Sequence, residues 1–296
     1  MGIEAVDQWA SRGKRIDAGG FRIFVLDEPA AESEDDPPLL VLHGFPSCSF
    51  DWRHVLPRLA RRRRVVLLDF LGFGLSDKPD TRYGIRLQAN LAQQVVLGLG
   101  LREVGLLTHD MGDTVGGELL ARSLEGTLGF EVVRRVVTNG SIYLAMAQLT
   151  PGQLALLSLP DERLGTERSA EEWKPGFLAG LAGTFAPARQ PSTEELDAQW
   201  ELMAADEGYR LLPRLIRYIE DRRVDESRFT GAIETHPSPL GIVWGELDPV
   251  AVHPMALRLR DARPDSRLNT LQGVGHYPMI EDPDRFASAV VHYLAD

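Results

Sequence analysis

Asp110 stands between a strand-like run and a helix-like segment, which is where a nucleophile is commonly presented. Residues 104–108 (VGLLT) form a short apolar run typical of a buried strand, and residues 111–122 have helical spacing. Small residues, Thr108 and Gly112, lie two positions on either side of the aspartate. A sharp strand-to-helix turn needs such residues because the backbone doubles back there, lifting one side chain above the sheet. We predict that Asp110 is a nucleophile; the alternative is an aspartate that only caps the helix.

Two later residues could complete a catalytic triad with this aspartate. Asp248 follows the apolar run 241–244, and His276 lies in a glycine-containing loop after the run 268–271. The chain order of nucleophile, acid and histidine is the order found when a nucleophile lies on a sharp strand-to-helix turn at the edge of a mostly parallel sheet. We therefore predict that His276 is a general base and that Asp248 orients it. A histidine on a surface loop without a catalytic role is the alternative.

Short apolar runs alternate with longer amphipathic segments through most of the chain, which is typical of a mostly parallel sheet with helices on both faces. The pattern breaks between residues 142 and 238, where the sequence indicates helices and loops punctuated by prolines. We predict a helical cap over 142–238, inserted after the sixth strand, with the core formed by 1–141 and 239–296. Such a cap would cover the carboxyl edge of the sheet, where ligands of open α/β sheets bind.

The predicted elements follow from these runs. Strands are expected at 21–26, 39–42, 65–69, 104–108, 133–138, 241–244 and 268–271. Helices are expected at 50–60, 87–99, 111–122 and 284–294.

The overall charge of the chain restricts its partners. The 296 residues carry a formal net charge of −11, so the chain lacks the basic face that binding to nucleic acid or an anionic membrane requires. The one basic run, residues 61–64, is expected to be a solvated loop. The single cysteine, Cys48, allows no disulfide within the chain. No signal-peptide or membrane-spanning run is present, and we expect a cytoplasmic protein.

The chain resembles the epoxide hydrolase and haloalkane dehalogenase branch of the α/β-hydrolase superfamily over nearly its whole length. It is most similar to the mesoderm-specific-transcript-like hydrolases. The matching segments are LLVLHGFPS (39–47), LDFLGFGLSDKP (68–79), THDMGD (108–113), LIRYI (215–219), ELDPV (246–250) and GHYPMIEDP (275–283). The resemblance implies an α/β-hydrolase fold with a helical cap, an alkyl-ester intermediate on the aspartate, and no metal or organic cofactor.

The loop 43–46 follows the predicted strand 39–42 and is expected to form part of an oxyanion hole. In this fold the loop supplies one backbone N–H, and the residue after the nucleophile supplies the other. These donors would be Phe45 and Met111, whose side chains we also expect beside the substrate. The alternative is a turn that only ends the strand.

Tyrosines in the cap favour an epoxide as the substrate group. Epoxide opening makes an alkoxide, which needs an O–H donor, and in epoxide hydrolases cap tyrosines provide it. Tyr218 matches the second such tyrosine, Tyr143 is the best match for the first, and Tyr209 is a reserve candidate for substrate contact; each could instead be a packing residue. Haloalkane dehalogenases usually have tryptophan after the nucleophile, whereas Met111 and Phe45 offer no side-chain donor to a halide.

We therefore expect an epoxide hydrolase that converts a small apolar epoxide and water into a vicinal diol. Water activated by His276 and Asp248 would hydrolyse an ester on Asp110. A haloalkane or haloacid dehalogenase with the same triad is the enzymatic alternative, and a non-catalytic ligand-binding homologue is the other. The sequence is compatible with a monomer or a homodimer.

Overall fold

One mostly parallel sheet organises the molecule. The computed structural model describes residues 2–160 and 168–295, and in these residues eight strands form a single sheet in the order β1-β2-β4-β3-β5-β6-β7-β8. Antiparallel pairing joins β2 to β1 and to β4, and the other neighbours are parallel. The strands are β1 (Lys14–Ala18), β2 (Phe21–Glu28), β3 (Leu39–Leu42), β4 (Val65–Leu68), β5 (Glu103–His109), β6 (Glu131–Thr138), β7 (Leu240–Gly245) and β8 (Arg267–Leu271).

The central strands are buried on both faces. Every residue of β3, β4 and β7 is buried, as their continuous apolar runs predict for strands covered by helices. The sequence did not predict β1, which lies at the edge of the sheet with its first two residues exposed. An edge strand of this kind needs no apolar run, so its pattern carries little signal.

Helices cover the sheet and build the segment between β6 and β7. They are α1 (Gly2–Arg12), α2 (Leu56–Leu59), α3 (Ile85–Gly98), α4 (Met111–Leu124), α5 (Pro151–Ser158), α6 (Ala170–Ala182), α7 (Thr193–Ala204), α8 (Leu212–Leu215), α9 (Tyr218–Thr235), α10 (Pro254–Ala262), α11 (Pro278–Glu281) and α12 (Pro283–Ala295). Short 3-10 helices lie at Ser49–Trp52, Leu144–Met146 and Ala205–Leu211. The prediction of one continuous helix at 50–60 is wrong. A 3-10 turn and the short α2 replace it, since Pro57 cannot donate an interior helical bond but fits a helix start.

The last helix of the segment between β6 and β7, α9, packs on helices of the core. Asp225 interrupts the helical backbone of α9, and beyond it the carbonyl oxygen of Phe229 lies so close to Gly117 of α4 that a Cβ there would meet it at 2.7 Å. Before the interruption, Asp221 accepts a hydrogen bond from the N–H of Ile85 at 2.9 Å, at the start of α3. The end of the predicted cap, up to residue 238, is therefore attached to α3 and α4.

The basic run 61–64 is neutralised by the acidic loop that precedes β3. Three ion pairs connect the two segments, Arg61–Glu32, Arg62–Asp35 and Arg63–Asp36, and Arg64 pairs with Asp27 near the end of β2. Arg63 is also buried and donates to the carbonyl of Leu294, so this run is partly structural and not only a solvated loop. Across residues 2–160 and 168–295, no helix has the length and apolar character needed to cross a bilayer.

Candidate active site

Asp110 lies on a tight turn between the last residue of β5 and the first residue of α4. Its backbone adopts φ 49° and ψ −112°, and the residue is 2% exposed. Positive φ is strained for a residue with a side chain, and such strain is concentrated at functional sites. Within the described residues of this turn, the side chain makes no capping hydrogen bond to α4. The carboxylate is thus available for chemistry at the carboxyl edge of the sheet.

Two glycines allow the backbone to approach the turn. A Cβ on Gly44 would come within 2.6 Å of the Cβ of Asp110, and a Cβ on Gly112 would lie 2.6 Å from the carbonyl oxygen of Leu42. Both contacts are closer than side chains tolerate, so larger residues would displace the loop after β3 from the nucleophile. These spacings explain why small residues surround Asp110 in the sequence.

The loop after β3 aims a backbone donor at the carboxylate. The N–H of Phe45 donates to Oδ2 of Asp110 at 2.9 Å. Met111 begins α4, so its N–H belongs to the first helical turn, where amides have no intrahelical acceptor. His43 braces the loop: its Nε2 accepts from the N–H of Phe70 at 2.9 Å, which leaves Nδ1 protonated and facing the carbonyl oxygen of Gly44 at 2.8 Å.

His276 and Asp248 form a buried pair close to the nucleophile. Nδ1 of His276 lies 2.8 Å from Oδ2 of Asp248, whose Oδ1 accepts the N–H groups of Val250 and Ala251 at 2.7 and 2.9 Å. Burial lowers the pKa of His276, but the charges of Asp248 and Asp110 outweigh it and raise the pKa to about 9. The imidazole therefore carries a proton while Asp110 is charged. It can become a base once Asp110 is neutral.

Asn139 orients the acid of this pair, and sequence reasoning missed it. It follows β6 with φ 52°, and its amide nitrogen donates to Oδ2 of Asp248 at 2.7 Å and to the carbonyl of Gly275 at 3.3 Å. Its amide oxygen accepts from the N–H of Gly245 at 3.1 Å. The sequence signal was its position directly after a buried strand, at the edge where the other site residues lie.

Glu281 holds the loop that carries His276 and ties it to the helical insertion. Its carboxylate accepts three backbone N–H groups, from Gly275 at 2.7 Å, Tyr277 at 3.1 Å and Ala186 at 3.1 Å. The N–H of His276 donates to the carbonyl of Thr184 at 3.1 Å, which adds a second link. The position of the histidine therefore depends on the segment between α6 and α7 as well as on the core.

Two buried phenols lie within electrostatic reach of Asp110. Tyr218 is the first residue of α9, and its ring centroid lies 5.9 Å from that of Phe45. Burial and the charge of Asp110 raise the pKa of Tyr218. Burial and the charges of Asp51 and Asp110 raise that of Tyr277 in the same way. Tyr277 was not among the predicted site residues, although it directly follows His276.

The structure does not bring Tyr143 or Tyr209 into this group. The hydroxyl of Tyr143 donates to Glu234 at 2.7 Å, and the guanidinium carbon of Arg258 lies 4.0 Å from its ring centroid. Tyr209 is partly buried and packs on Trp200, with ring centroids 6.1 Å apart. These contacts favour packing roles for both residues, whereas the predicted donation from Tyr143 to an epoxide oxygen and the predicted substrate contact of Tyr209 stay predictions.

A cavity of about 350 Å³ reaches His276. Phe45, His276 and Tyr277 line its inner end, whereas Arg168 and Glu172 are its charged lining residues from the helical insertion. Much of the remaining wall is apolar, with side chains that include Leu156, Leu159, Trp173, Phe177, Leu181 and Leu212. An apolar cavity with a few converging polar groups is typical of a small-molecule site. In residues 2–160 and 168–295, no group of three or more His, Cys, Asp or Glu side chains is arranged to hold a metal ion.

The chain is similar to known proteins over nearly its whole length. The profile described as "Alpha/beta hydrolase family" matches residues 39–289. The "Putative hydrolase LipZ" of Mycobacterium tuberculosis is 41% identical over 100% of both chains. The "Mesoderm-specific transcript homolog protein" of Homo sapiens is 34% identical over 98% of this chain and 88% of its own length. The solved structure "Epoxide hydrolase CorEH without ligand" superposes with a TM-score of 0.75 at 19% identity, covering 96% of this chain and 98% of that one, a likeness of fold.

Proposed function

The chain belongs to the alpha/beta hydrolase family, and from this premise we propose that it is an epoxide hydrolase that converts a small apolar epoxide into a vicinal diol. The observation that carries the proposal is that Phe45 connects the two groups: its N–H donates to Oδ2 of Asp110 at 2.9 Å, and its ring centroid lies 5.9 Å from that of the buried Tyr218. A carboxylate attacks saturated carbon, and a phenol protonates the alkoxide that ring opening creates. The largely apolar cavity that reaches Phe45, His276 and Tyr277 suits an apolar substrate.

The first step forms an ester on Asp110. Because Oδ2 is held by the N–H of Phe45, Oδ1 is the oxygen available to attack an epoxide carbon. A bond forms between Oδ1 and that carbon as the ring C–O bond breaks, and the electron pair passes to the ring oxygen. That oxygen takes the proton of Tyr218, with Tyr277 as the second phenol near the reacting group.

The second step hydrolyses the ester. Ester formation removes the negative charge of Asp110, which is one of the charges that raise the pKa of His276, so the imidazolium can pass its proton to the phenolate of Tyr218. The neutral imidazole then accepts a proton from water, the resulting hydroxide attacks Cγ of Asp110, and the oxyanion forms beside the N–H of Phe45. On collapse the bond from Cγ to the substrate oxygen breaks, and the proton that the hydroxide brought passes to this oxygen to complete the diol. The carboxylate of Asp110 is restored, and His276 is again protonated.

Side chains near the nucleophile favour an epoxide over a halide. Met111 follows Asp110, and Phe45 lies across from it, and neither side chain can donate a hydrogen bond to a leaving halide. The phenol of Tyr218, in contrast, can transfer a proton, which an alkoxide needs and a halide does not.

Turnover of styrene oxide against 1-bromohexane tests the proposal. We expect diol formation from styrene oxide by the wild-type enzyme and none by Asp110→Asn. A single turnover with excess enzyme in ¹⁸O-labelled water should leave the first diol unlabelled and place the label on Asp110. Halide release from the bromoalkane without diol formation from epoxides would contradict the proposal, and so would label in the diol of the first turnover.

A further inference from the structure

Arg222 is a buried cation one turn after Tyr218 on α9, and the mechanism above does not use it. It is 2% exposed, and its guanidinium carbon lies 5.0 Å from the ring centroid of Tyr218. Its Nε donates to Oγ1 of Thr114 on α4 at 2.9 Å, which fixes the guanidinium against the core. Within the described part of the chain, Nη2 of Arg222 has no hydrogen-bond partner.

A buried guanidinium usually has a carboxylate partner, since leaving such a charge unpaired is costly. The charge of Arg222 acts to lower the pKa of the buried carboxyl of Asp113, whose Oδ1 accepts a hydrogen bond from the hydroxyl of Thr108. Burial above all raises the pKa of Asp113 to about 8, so at neutral pH this carboxyl mostly holds its proton. Asp113 therefore does not neutralise Arg222, and the positive charge is left to act on Tyr218.

We propose that Arg222 is a positioning residue for Tyr218, and that its guanidinium stabilises the negative charge on the phenol oxygen when this oxygen gives its proton to the opening epoxide. The inference rests on the proposed function, in which Tyr218 is the acid. A fixed charge already in place when negative charge develops is the arrangement that gives the strongest electrostatic stabilisation.

The charges around Tyr218 change during the reaction in a way that makes its phenol a stronger acid. Burial and the charge of Asp110 raise the pKa of Tyr218, whereas the charge and hydrogen bonding of Arg222 lower it. When Oδ1 of Asp110 bonds to carbon, Asp110 becomes a neutral ester and its opposing influence disappears. Arg222 stays charged, so the phenol becomes a stronger acid as the ring C–O bond breaks, and the phenolate then lies beside a cation until His276 returns the proton.

In the described residues, the titratable and charged groups that interact with Tyr218 lie on three elements, which limits what can explain a change in its pKa. Asp110 lies on the turn between β5 and α4, Arg222 lies on α9, and Tyr277 lies in the loop after β8. The charge state of Tyr218 also affects the pKa of Tyr277. Removal of Arg222 alone leaves the other two in place. The effect of its charge can therefore be isolated by substitution.

Titration of a fluorinated tyrosine at position 218 measures the effect of Arg222 without any substrate. Difluorotyrosine lowers the intrinsic pKa of the phenol into an accessible range, and ¹⁹F NMR follows its ionisation. We expect Arg222→Gln to raise this pKa by about one to three units, as loss of an adjacent opposite charge does, and Arg222→Lys to restore most of the difference. Arg223→Gln, which removes an exposed arginine from the same helix, should leave the pKa unchanged.

Transient kinetics with styrene oxide test the consequence for the reaction. We expect Arg222→Gln to slow ester formation on Asp110 by about 100-fold, the size of effect seen for one lost electrostatic contact, and to leave ester hydrolysis unchanged. In a Tyr218→Phe background the same substitution should have no further effect, because Arg222 acts through the phenol. If Arg222→Gln does not fold, Thr114→Val takes its place. It keeps the guanidinium but removes the hydroxyl that Nε binds, and it should slow ester formation by less than 100-fold.

An unchanged pKa of the fluorinated phenol in Arg222→Gln would overturn the inference, as would equal losses in the wild-type and Tyr218→Phe backgrounds. A wild-type enzyme that turns over no epoxide would contradict the proposed function. The titration would still decide whether Arg222 controls the acidity of Tyr218.

Discussion

The backbone N–H of Phe45 donates to Oδ2 of Asp110 at 2.9 Å, so the two oxygens of the carboxylate have different surroundings before any substrate binds. Oδ2 faces the donor that will stabilise the oxyanion in ester hydrolysis, and Oδ1 is left for attack on carbon. The same contact therefore serves both steps of the proposed reaction. It also fixes the side chain on a backbone that is strained at φ 49°.

The ionisation of His276 should depend on the charge of Asp110. Burial lowers the pKa of His276, whereas Asp248 and Asp110 raise it, to about 9 overall. Asp110→Asn removes one of the three charges that favour the imidazolium, those of Asp248, Asp110 and Glu281, so we expect the pKa to fall by about one unit or more. A ¹⁵N NMR titration of histidine-labelled protein measures this directly. Asp284→Asn, at an exposed carboxylate on α12, is the control and should leave the value unchanged.

The direction of that shift sets the pH dependence of the two steps. Ester hydrolysis needs neutral His276, so its rate should rise with pH through the lowered pKa of the ester state. A pKa that stays near 9 in Asp110→Asn would show that Asp110 does not control the base.

Asn139→Ala should slow ester hydrolysis more than ester formation. The amide of Asn139 donates to the same oxygen of Asp248 that faces His276, and it also binds the carbonyl of Gly275. Its loss should cost about 10-fold in hydrolysis, since a hydrogen bond to a charged group is worth about 1.5 kcal/mol or more and 1.4 kcal/mol corresponds to a factor of ten. The ester should then accumulate, and rapid-quench mass spectrometry would detect it. Equal slowing of both steps would argue against a specific role for Asn139.

Glu281→Gln should lower stability and loosen the attachment of the histidine loop. A glutamine amide can accept on one side only, so at least one of the N–H groups of Gly275, Tyr277 and Ala186 loses its partner. We expect a loss of about 1–3 kcal/mol in the free energy of unfolding, the cost of a buried donor left unpaired. Urea denaturation measures it. The matched control is Glu246→Gln, whose carboxylate binds only the exposed N–H of Gly273 in the same loop and should change stability little.

Tyr277→Phe and Tyr143→Phe should have different effects. Tyr277 lines the cavity, and the charge of Asp110 raises its pKa, so its loss should slow ester formation from an epoxide by about 100-fold, the low end of what one acid contributes. The hydroxyl of Tyr143 donates to Glu234, so Tyr143→Phe should lower the free energy of unfolding by about 1 kcal/mol and leave ester formation unchanged. Single-turnover rates and denaturation curves for both variants separate the two effects. A larger kinetic loss in Tyr143→Phe would reverse the assignment.

Much of the architecture could be predicted because its signals are local. The runs at β3, β4 and β7 are continuous and apolar, as burial on both faces requires, and they are confirmed as central strands of the sheet. The placement of Asp110 on a strand-to-helix turn followed from the small residues two positions on either side. These features need only neighbours in the sequence to be recognised.

Other features depend on partners distant in the chain and could not be predicted in this way. The hydroxyl of Tyr143 faces Glu234, which lies 91 positions away, and its resemblance to a cap tyrosine gave no information about that contact. Arg222 binds Thr114 across 108 positions, and Asn139 binds Asp248 across 109. An edge strand such as β1 has no apolar pattern to find. Side-chain direction, which decides these roles, is set by packing between elements.

The attachment of α9 to the core has a consequence for how such enzymes can diversify. Asp221 and Arg222 bind α3 and α4, so the turn of helix that carries Tyr218 moves with the sheet and not with the helices that roof the cavity. The proposed proton donor and the proposed nucleophile therefore share one support, whereas the loop that carries His276 is also held by Thr184 and Ala186, between α6 and α7. Changes in the cavity wall formed by α5 and α6 would then alter the choice of substrate without moving the proton donor relative to the nucleophile.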